Sequence, residues 1–306
     1  MRQSSLTKAL LIVPLLALLA LAGCGSNTGG STSSPCKGAK VTVGGKLDTE
    51  AQLLTEMYTL LLKNAGCNVT ERAKLGTNQI VFSAITSGQI DLYPEFTATG
   101  LAKLGQSTTH NPQQDYQLVK QGYEQQYQIT WLDAAPMNDT YGVCTTKANA
   151  TTFGVSKVSD VIPLASKDTV ATPPDGQSDP NVIPALQKVY GIKFGTEKVL
   201  DEALTFQAVQ NGDAQFNICY TTFGLISADN FVLLDDDKSV FPIYNPAPIV
   251  RDSTLKNTPA IATALNPLAP KLTTAEITKL NADVDVNHKT VHEVAQTWLK
   301  QQGLLP

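Results

Sequence analysis

Short apolar runs alternate along the chain with longer stretches in which apolar residues recur every three or four positions. This is the pattern of strands alternating with amphipathic helices. The first run, over 40–43, is followed by Asp48 or Thr49 as an N-cap, then by Leu53, Leu54, Met57, Leu60 and Leu61 at helical spacing, with Gly66 as the stop. A strand over 69–73, a helix over 77–87 ended by Gly88, and a short apolar strand over 90–93 come next. Asn111-Pro112 opens a third long helix to about Gln126, and 129–132 is predicted as a strand. Later come strands over 141–145 and 168–172, a helix from Asp179-Pro180 to Tyr190, a strand region over 194–199 and a helix over 201–211 stopped by Gly212. Strands over 215–220 and 231–233 complete the pattern. Two such strand-and-helix runs predict an α/β protein of two parallel-rich lobes.

Two irregular Pro- and Asn-containing segments read as joints between the lobes: Ala134-Ala135-Pro136-Met137-Asn138 and 241–248. Amphipathic helices over 273–284 and 290–301 then return the chain to the first lobe. The expected organisation is lobe I at 37–135 and 245–306, and lobe II with the hinge segments at 136–244. Two crossings between two lobes make a hinge over a cleft. No solenoid-type repeat is present.

One apolar run breaks this scheme. Residues 9–22 follow Arg2 and Lys8 and precede Gly23-Cys24, a positive n-region and an apolar h-region too short to span a bilayer comfortably. Leu21-Ala22-Gly23-Cys24 looks like a bacterial lipobox, which makes 1–23 a lipoprotein signal peptide and Cys24 the lipid anchor; a plain signal peptide is the other reading. Gly, Ser, Thr and Asn dominate the next residues, so 24–36 is expected as a flexible tether. The mature chain would work outside the cytoplasm. Four cysteines then remain in a compartment where disulfides persist: Cys36, Cys67, Cys144 and Cys219. Cys36 and Cys67 each precede a strand, while Cys144 and Cys219 lie late in two others. That placement favours Cys36 with Cys67 and Cys144 with Cys219, against buried free thiols.

Composition narrows the function. The 306 residues carry 23 Lys+Arg against 27 Asp+Glu, a formal −4; without Arg2 and Lys8 the balance is 21 against 27, or −6. No basic field exists to hold nucleic acid. Catalytic motifs are missing: there is no G-x-S-x-G, and Val43-Gly44-Gly45-Lys46-Leu47 lacks the glycine and the Ser/Thr of a phosphate loop. His288 and His292 stand four apart without a third ligand, and read as exposed helix histidines. Asp235-Asp236-Asp237 lacks the rest of a calcium loop and reads as a solvated turn. Neither an enzyme, a metal nor a cofactor is expected.

Six blocks carry a resemblance: 44–50, beginning Gly-Gly-Lys; Leu75-Gly76-Thr77; 87–99, which includes Asp91-Leu92-Tyr93-Pro94-Glu95-Phe96-Thr97; Asn138-Asp139-Thr140-Tyr141; Cys219-Tyr220-Thr221-Thr222; and 235–244. In order and spacing they resemble the substrate-binding lipoproteins of osmoprotectant ABC importers, which take glycine betaine, choline, carnitine and related compounds. The resemblance covers 41–299. It implies the two-lobed periplasmic-binding-protein fold (type II) that closes on its ligand, an ABC permease partner, and a monomer lipid-anchored to the bacterial cell membrane.

A trimethylammonium group has no N–H to donate, so it is held by the negative faces of aromatic rings. Phe96, Tyr141, Tyr220 and Tyr244 match the family's aromatic box, Phe96 standing where a Tyr is usual. Lys46 and Thr99 match two of the groups that hold a ligand carboxylate in that family. The Arg that accompanies them is absent: counting back from Tyr190-Gly191 places Asp179 there, and a second register through Thr172-Pro173-Pro174-Asp175-Gly176 has no Arg either. Asp139 and Asp179 would make the cage more negative, which favours a net cation, choline before glycine betaine or carnitine. Asp179 alternatively caps its helix, and Lys46 alternatively pairs with one of these carboxylates. Another betaine-like amine, or a sensory lipoprotein on the same fold, are the competing readings.

Overall fold

The computed structural model of the chain describes residues 35–306 except Asp229, and only the backbone at Asp175, Ser178 and Ser227. The signal peptide, the lipobox, Cys24 and nearly all of the tether lie outside the described residues. Ten strands are found among those described: β1 (Lys40–Lys46), β2 (Asn68–Gly76), β3 (Leu92–Phe96), β4 (Ile129–Trp131), β5 (Tyr141–Thr146), β6 (Thr169–Thr172), β7 (Thr196–Val199), β8 (Phe216–Tyr220), β9 (Phe231–Leu233) and β10 (Pro246–Arg251). They form two five-stranded sheets in the orders β2-β1-β3-β10-β4 and β7-β6-β8-β5-β9.

The two sheets share one plan. Three parallel strands lie on one side, and a fourth, antiparallel strand is wedged between them and the fifth. That fourth strand is β10 in the first sheet and β5 in the second, and each follows directly on a crossing. A strand fed from the hinge enters its sheet from the end opposite to the βα units, so it must run antiparallel. The expected parallel-rich sheets are therefore corrected to mixed sheets. β10 also starts inside the segment 241–248 expected as an irregular joint, where Pro246 and Pro248 read as strand breakers. Their missing N–H groups are tolerated because their carbonyls still accept, Pro248 from Leu132 N–H and Pro246 from Ala135 N–H, both at 2.9 Å.

Helices follow the expected spacing where caps are strong. Asp48 caps the helix Thr49–Asn64 by accepting from Ala51 N–H, and Asn111 caps Pro112–Tyr127 by accepting from Gln114 N–H. The helix expected from Asp179 begins instead at Ile183, with Pro184 in its first turn, and continues as a π-type turn over Leu186–Tyr190. Residues 179–182 form a separate turn closed by Val182 N–H on the Asp179 carbonyl at 3.1 Å. A short helix over Thr97–Lys103, unsignalled by periodicity, leads out of β3.

Each sheet is buried on both faces. The helix Thr49–Asn64 packs Leu53, Leu54, Met57 and Leu61 into the core on one face of the first sheet, and Phe82, Tyr123 and Trp131 fill the other. In the second lobe Val143, Phe216 and Ile218 face one core, while Ala171, Phe206 and Phe231 face the other. Disulfides join Cys36 to Cys67, at the starts of neighbouring strands β1 and β2, and Cys144 to Cys219, across β5 and β8. No helix among the described residues is long and apolar enough to cross a membrane.

The two crossings lie side by side and are tied together. Asn245 donates its side-chain amide to Met137 O at 2.7 Å, Thr140 Oγ1 donates to Pro242 O at 2.5 Å, and Thr97 Oγ1 donates to Ile243 O at 3.1 Å. A third contact joins the lobes at the helix Thr274–Asp285, where Gly224 sits so close that a Cβ would lie 2.6 Å from the Ala282 backbone. Small residues there let the second lobe seat directly on the helix that returns to the first.

Candidate functional site

Tyr141 opens β5, Tyr220 closes β8, and the antiparallel register sets the two directly opposite each other. Their ring centroids are 4.6 Å apart with planes tilted by 36°, and their hydroxyls approach to 3.0 Å. Tyr244 comes from the second crossing and meets Tyr141 edge-on, at 6.4 Å and 81°. The first crossing holds it: Tyr244 N–H donates to Asn138 Oδ1 at 2.7 Å, and Asp139 N–H donates to Tyr244 O at 3.1 Å. Three of the four expected cage rings thus converge where the crossings meet the second sheet.

Phe96 is placed differently. It ends β3, is buried in the first-lobe core, and has the Lys46 ammonium over its ring face at 5.0 Å from the centroid. Lys46 in turn donates to Glu95 Oε1 at 2.6 Å, not to Asp139 or Asp179. Glu95 is 2% exposed, and its remaining capacity is filled by Tyr93 Oη at 2.7 Å and Phe96 N–H at 2.8 Å. This correction to the expected Lys46 partner has a simple cause. A carboxylate on a fully buried strand must find a counter-charge, and β1 delivers Lys46 beside it. Thr99 faces a cavity of about 330 Å³ in the first lobe, lined also by Asn78, Gln79, Phe82 and Lys103. Its neighbour Thr97, not singled out from the sequence, makes the hinge bonds.

Buried carboxyl groups act on the tyrosines. Asp139 accepts from Thr222 Oγ1 at 2.7 Å. Burial pushes its carboxyl up, Asp48 adds to the rise, and the Thr222 bond and Lys46 offset part of it. Glu202, first residue of the helix Glu202–Gln210, is pushed up to about 8, by burial first and then by Asp139, Asp48 and Asp285. The Tyr220 backbone N–H bonds its carboxyl group. Burial also raises the Tyr220 and Tyr244 hydroxyls; Asp139 contributes to both and Asp179 to Tyr244. Both therefore stay neutral phenols with electron-rich faces. Asp179 does not cap the helix: its carboxylate accepts from Asn181 N–H at 2.8 Å in the turn before it, while its charge reaches Tyr244.

Glu202 and Asn281 are not distinguished in the sequence, and Glu50 and Thr222 stand in blocks of the resemblance without a site role. Acids in a first helical turn and polar residues on a helix face are common surface features, and nothing local says that two lobes close over them. Asp235-Asp236-Asp237 is a structured turn: Asp236 accepts from Tyr190 Oη at 2.5 Å and Phe241 N–H at 2.9 Å, and Asp237 accepts from the Ser159 hydroxyl at 2.6 Å. His292 lies on the helix Val291–Gln301 and pairs with Glu56 at 2.6 Å, whereas His288 occupies the preceding turn.

Residues 39–301 match the OpuAC family, the substrate binding domain of the ABC-type glycine betaine transport system. The chain is 31% identical over 287 residues to the glycine betaine-binding protein YehZ of Escherichia coli K12, covering 89% of this chain and 94% of that one. It is 27% identical over 267 residues to the carnitine transport binding protein OpuCC of Listeria monocytogenes, covering 86% and 87% of the two chains. A solved structure described as a glycine betaine/carnitine/choline ABC transporter superposes with a TM-score of 0.80 at 24% identity, over 86% of this chain and 99% of that one, which supports the two-lobed binding-protein fold. With 263 consecutive residues matched (39–301), the chain belongs to the OpuAC family of substrate-binding domains of ABC importers, and is a binding protein rather than an enzyme.

Proposed function

We propose that the protein captures a quaternary ammonium compound between its lobes and delivers it to an ABC import permease, with choline preferred over glycine betaine and carnitine. The observation that carries this reading is the convergence of Tyr141, Tyr220 and Tyr244 within a ring of carboxyl groups. A ligand cation gains from the ring faces and from the Asp139 and Asp179 carboxylates. A ligand carboxylate gains little. The Arg expected for it is replaced by Asp179, and Lys46 is neutralised by Glu95. Phe96 would wall the cage from the first lobe, with Lys46 still paired to Glu95. Thr99 would add a hydroxyl on the same side. Cys24 is proposed as the lipid anchor that keeps the mature monomer outside the cytoplasm, on the bacterial cell membrane.

Charge at position 179 decides the preference. Asp179→Arg is expected to raise glycine betaine affinity relative to choline by about tenfold, corresponding to ~1.4 kcal/mol. Calorimetric titration of wild type and variant with choline, glycine betaine and carnitine measures the ratio. An unchanged ratio removes Asp179 from the site and leaves it as a turn-forming residue.

A further inference from the structure

We propose that Glu50 and Asp139, bridged by the Thr222 hydroxyl, form a proton-for-cation exchange site: the pair holds a proton while the cleft is empty and releases it to solvent when an organic cation is captured. The inference rests on the ligand reading above.

Glu50 stands in the first turn of the helix Thr49–Asn64 and is 6% exposed. Its Oε2 accepts from Asn281 Nδ2 at 3.1 Å, while its Oε1 is buried without a hydrogen-bond partner. Asn281, from the helix Thr274–Asp285, is 4% exposed. Its Nδ2 also donates to Thr222 O at 2.9 Å, yet its own Oδ1 is buried and unpartnered. Two buried acceptors on adjoining groups therefore lack a hydrogen. Thr222 has one hydroxyl proton, and it goes to Asp139 Oδ1 at 2.7 Å although Glu50 is also within its reach. With the hydroxyl donated to Asp139, Glu50 keeps Asn281 as a neutral donor on Oε2 and its buried Oε1 stays unpartnered, too little for a buried carboxylate.

Among the described residues the groups around the pair are mostly acidic. Asp48, on the same turn, acts on both carboxyl groups, Asp139 acts on Glu202 of the second-lobe helix and on Tyr220, and Asp285, held by Thr49 Oγ1 at 2.7 Å, acts on Glu202. Lys46 is the cation that acts on Asp139 among the described residues, and its ammonium is committed to Glu95 at 2.6 Å. A proton is the smallest charge that satisfies such a pair: burial raises both carboxyl groups, Asp139 adds to the rise at Glu50, and Asp48 adds to it at both.

Capture changes that balance. Asp139 lies two residues before Tyr141, and its charge is felt at Tyr220 and Tyr244. A cation held among those rings therefore favours the ionised pair. Binding lowers the pair's proton affinity, so the proton leaves. By linkage, cation affinity must then rise as pH rises through the range in which the empty pair titrates. Glu50 thus acts through Asp139 as a positioning and charge-setting residue, without touching the ligand.

The test is calorimetry of the wild-type protein with choline in phosphate and in Tris, whose ionisation enthalpies differ, at several values between about pH 6 and 8. The expected result is a buffer-dependent apparent enthalpy, reporting net release approaching one proton, and choline affinity that increases by up to about tenfold per pH unit. In Glu50→Gln, which keeps the Asn281 contact, the buffer dependence is expected to fall by at least half. Choline binding with equal enthalpies in both buffers overturns the exchange and leaves the ligand assignment standing. Full buffer dependence in Glu50→Gln overturns the role of Glu50. Failure of choline, glycine betaine and carnitine alike to bind the wild-type protein removes the ligand reading and the exchange with it.

Discussion

Replacing Tyr141 and Tyr220 together by alanine is expected to lower choline affinity about a thousandfold, at about 2 kcal/mol for each desolvated cation–ring contact. Strand register sets Tyr141 opposite Tyr220, with ring centroids 4.6 Å apart and planes tilted by 36°, and Tyr244 meets Tyr141 edge-on from the crossing. Their hydroxyls share one hydrogen bond at 3.0 Å, in which one donates and the other accepts. Tyr141→Phe and Tyr220→Phe keep the π-faces and lose only that bond, so each should stay within about fivefold of wild type, corresponding to ~1 kcal/mol for one hydrogen bond. Titration followed by intrinsic fluorescence or calorimetry separates the two sets. If the double alanine variant binds choline within about twofold of wild type, the rings are packing and the ligand lies elsewhere.

Lys46→Met should destabilise the folded chain by about 3–5 kcal/mol, because it strands the Glu95 carboxylate inside the first lobe. Glu95 is 2% exposed, and its other partners are the neutral donors Tyr93 and Phe96 N–H. A midpoint fall on the order of 10 °C in thermal unfolding is the expected readout. Lys46→Met combined with Glu95→Gln should recover most of that loss, since a neutral amide still bonds Tyr93 and needs no counter-ion. A single variant within about 1 kcal/mol of wild type would mean that solvent reaches Glu95 and that Lys46 is available to a ligand carboxylate. The same pair bears on selectivity. With its only described ion-pair partner at 2.6 Å, Lys46 brings no net positive charge to the cleft.

Much of the architecture is legible residue by residue. Asp48 and Asn111 announce helix starts that the structure places within a residue of expectation, because a cap is a local hydrogen bond. Where the expectation misses, a tertiary demand has overruled a local sign. Pro246 and Pro248 signal a break, yet β10 forms between β3 and β4 because its carbonyls and the remaining N–H groups suffice for both neighbours. Asp179-Pro180 signals a helix start, yet the helix waits for Ile183 while the aspartate closes a turn beside Tyr244.

The site divides along the same line. The side chains assigned to the proposed site, three tyrosines, Asp139 and Asp179, are picked out by the family resemblance, which also marks the missing Arg. The grouping is not. Phe96 pairs with Lys46 rather than with the tyrosines, and Glu50, Asp139 and Thr222 meet across 172 residues of intervening sequence from Glu50 to Thr222. Sequence by itself determined the periodicities, the caps, the two crossings and the inventory of rings and charges, because each depends on neighbours within a few residues. Only the tertiary structure decided which charges are buried together and which ring faces stay open. Burial and Coulomb energy depend on distances between lobes, which no local pattern encodes.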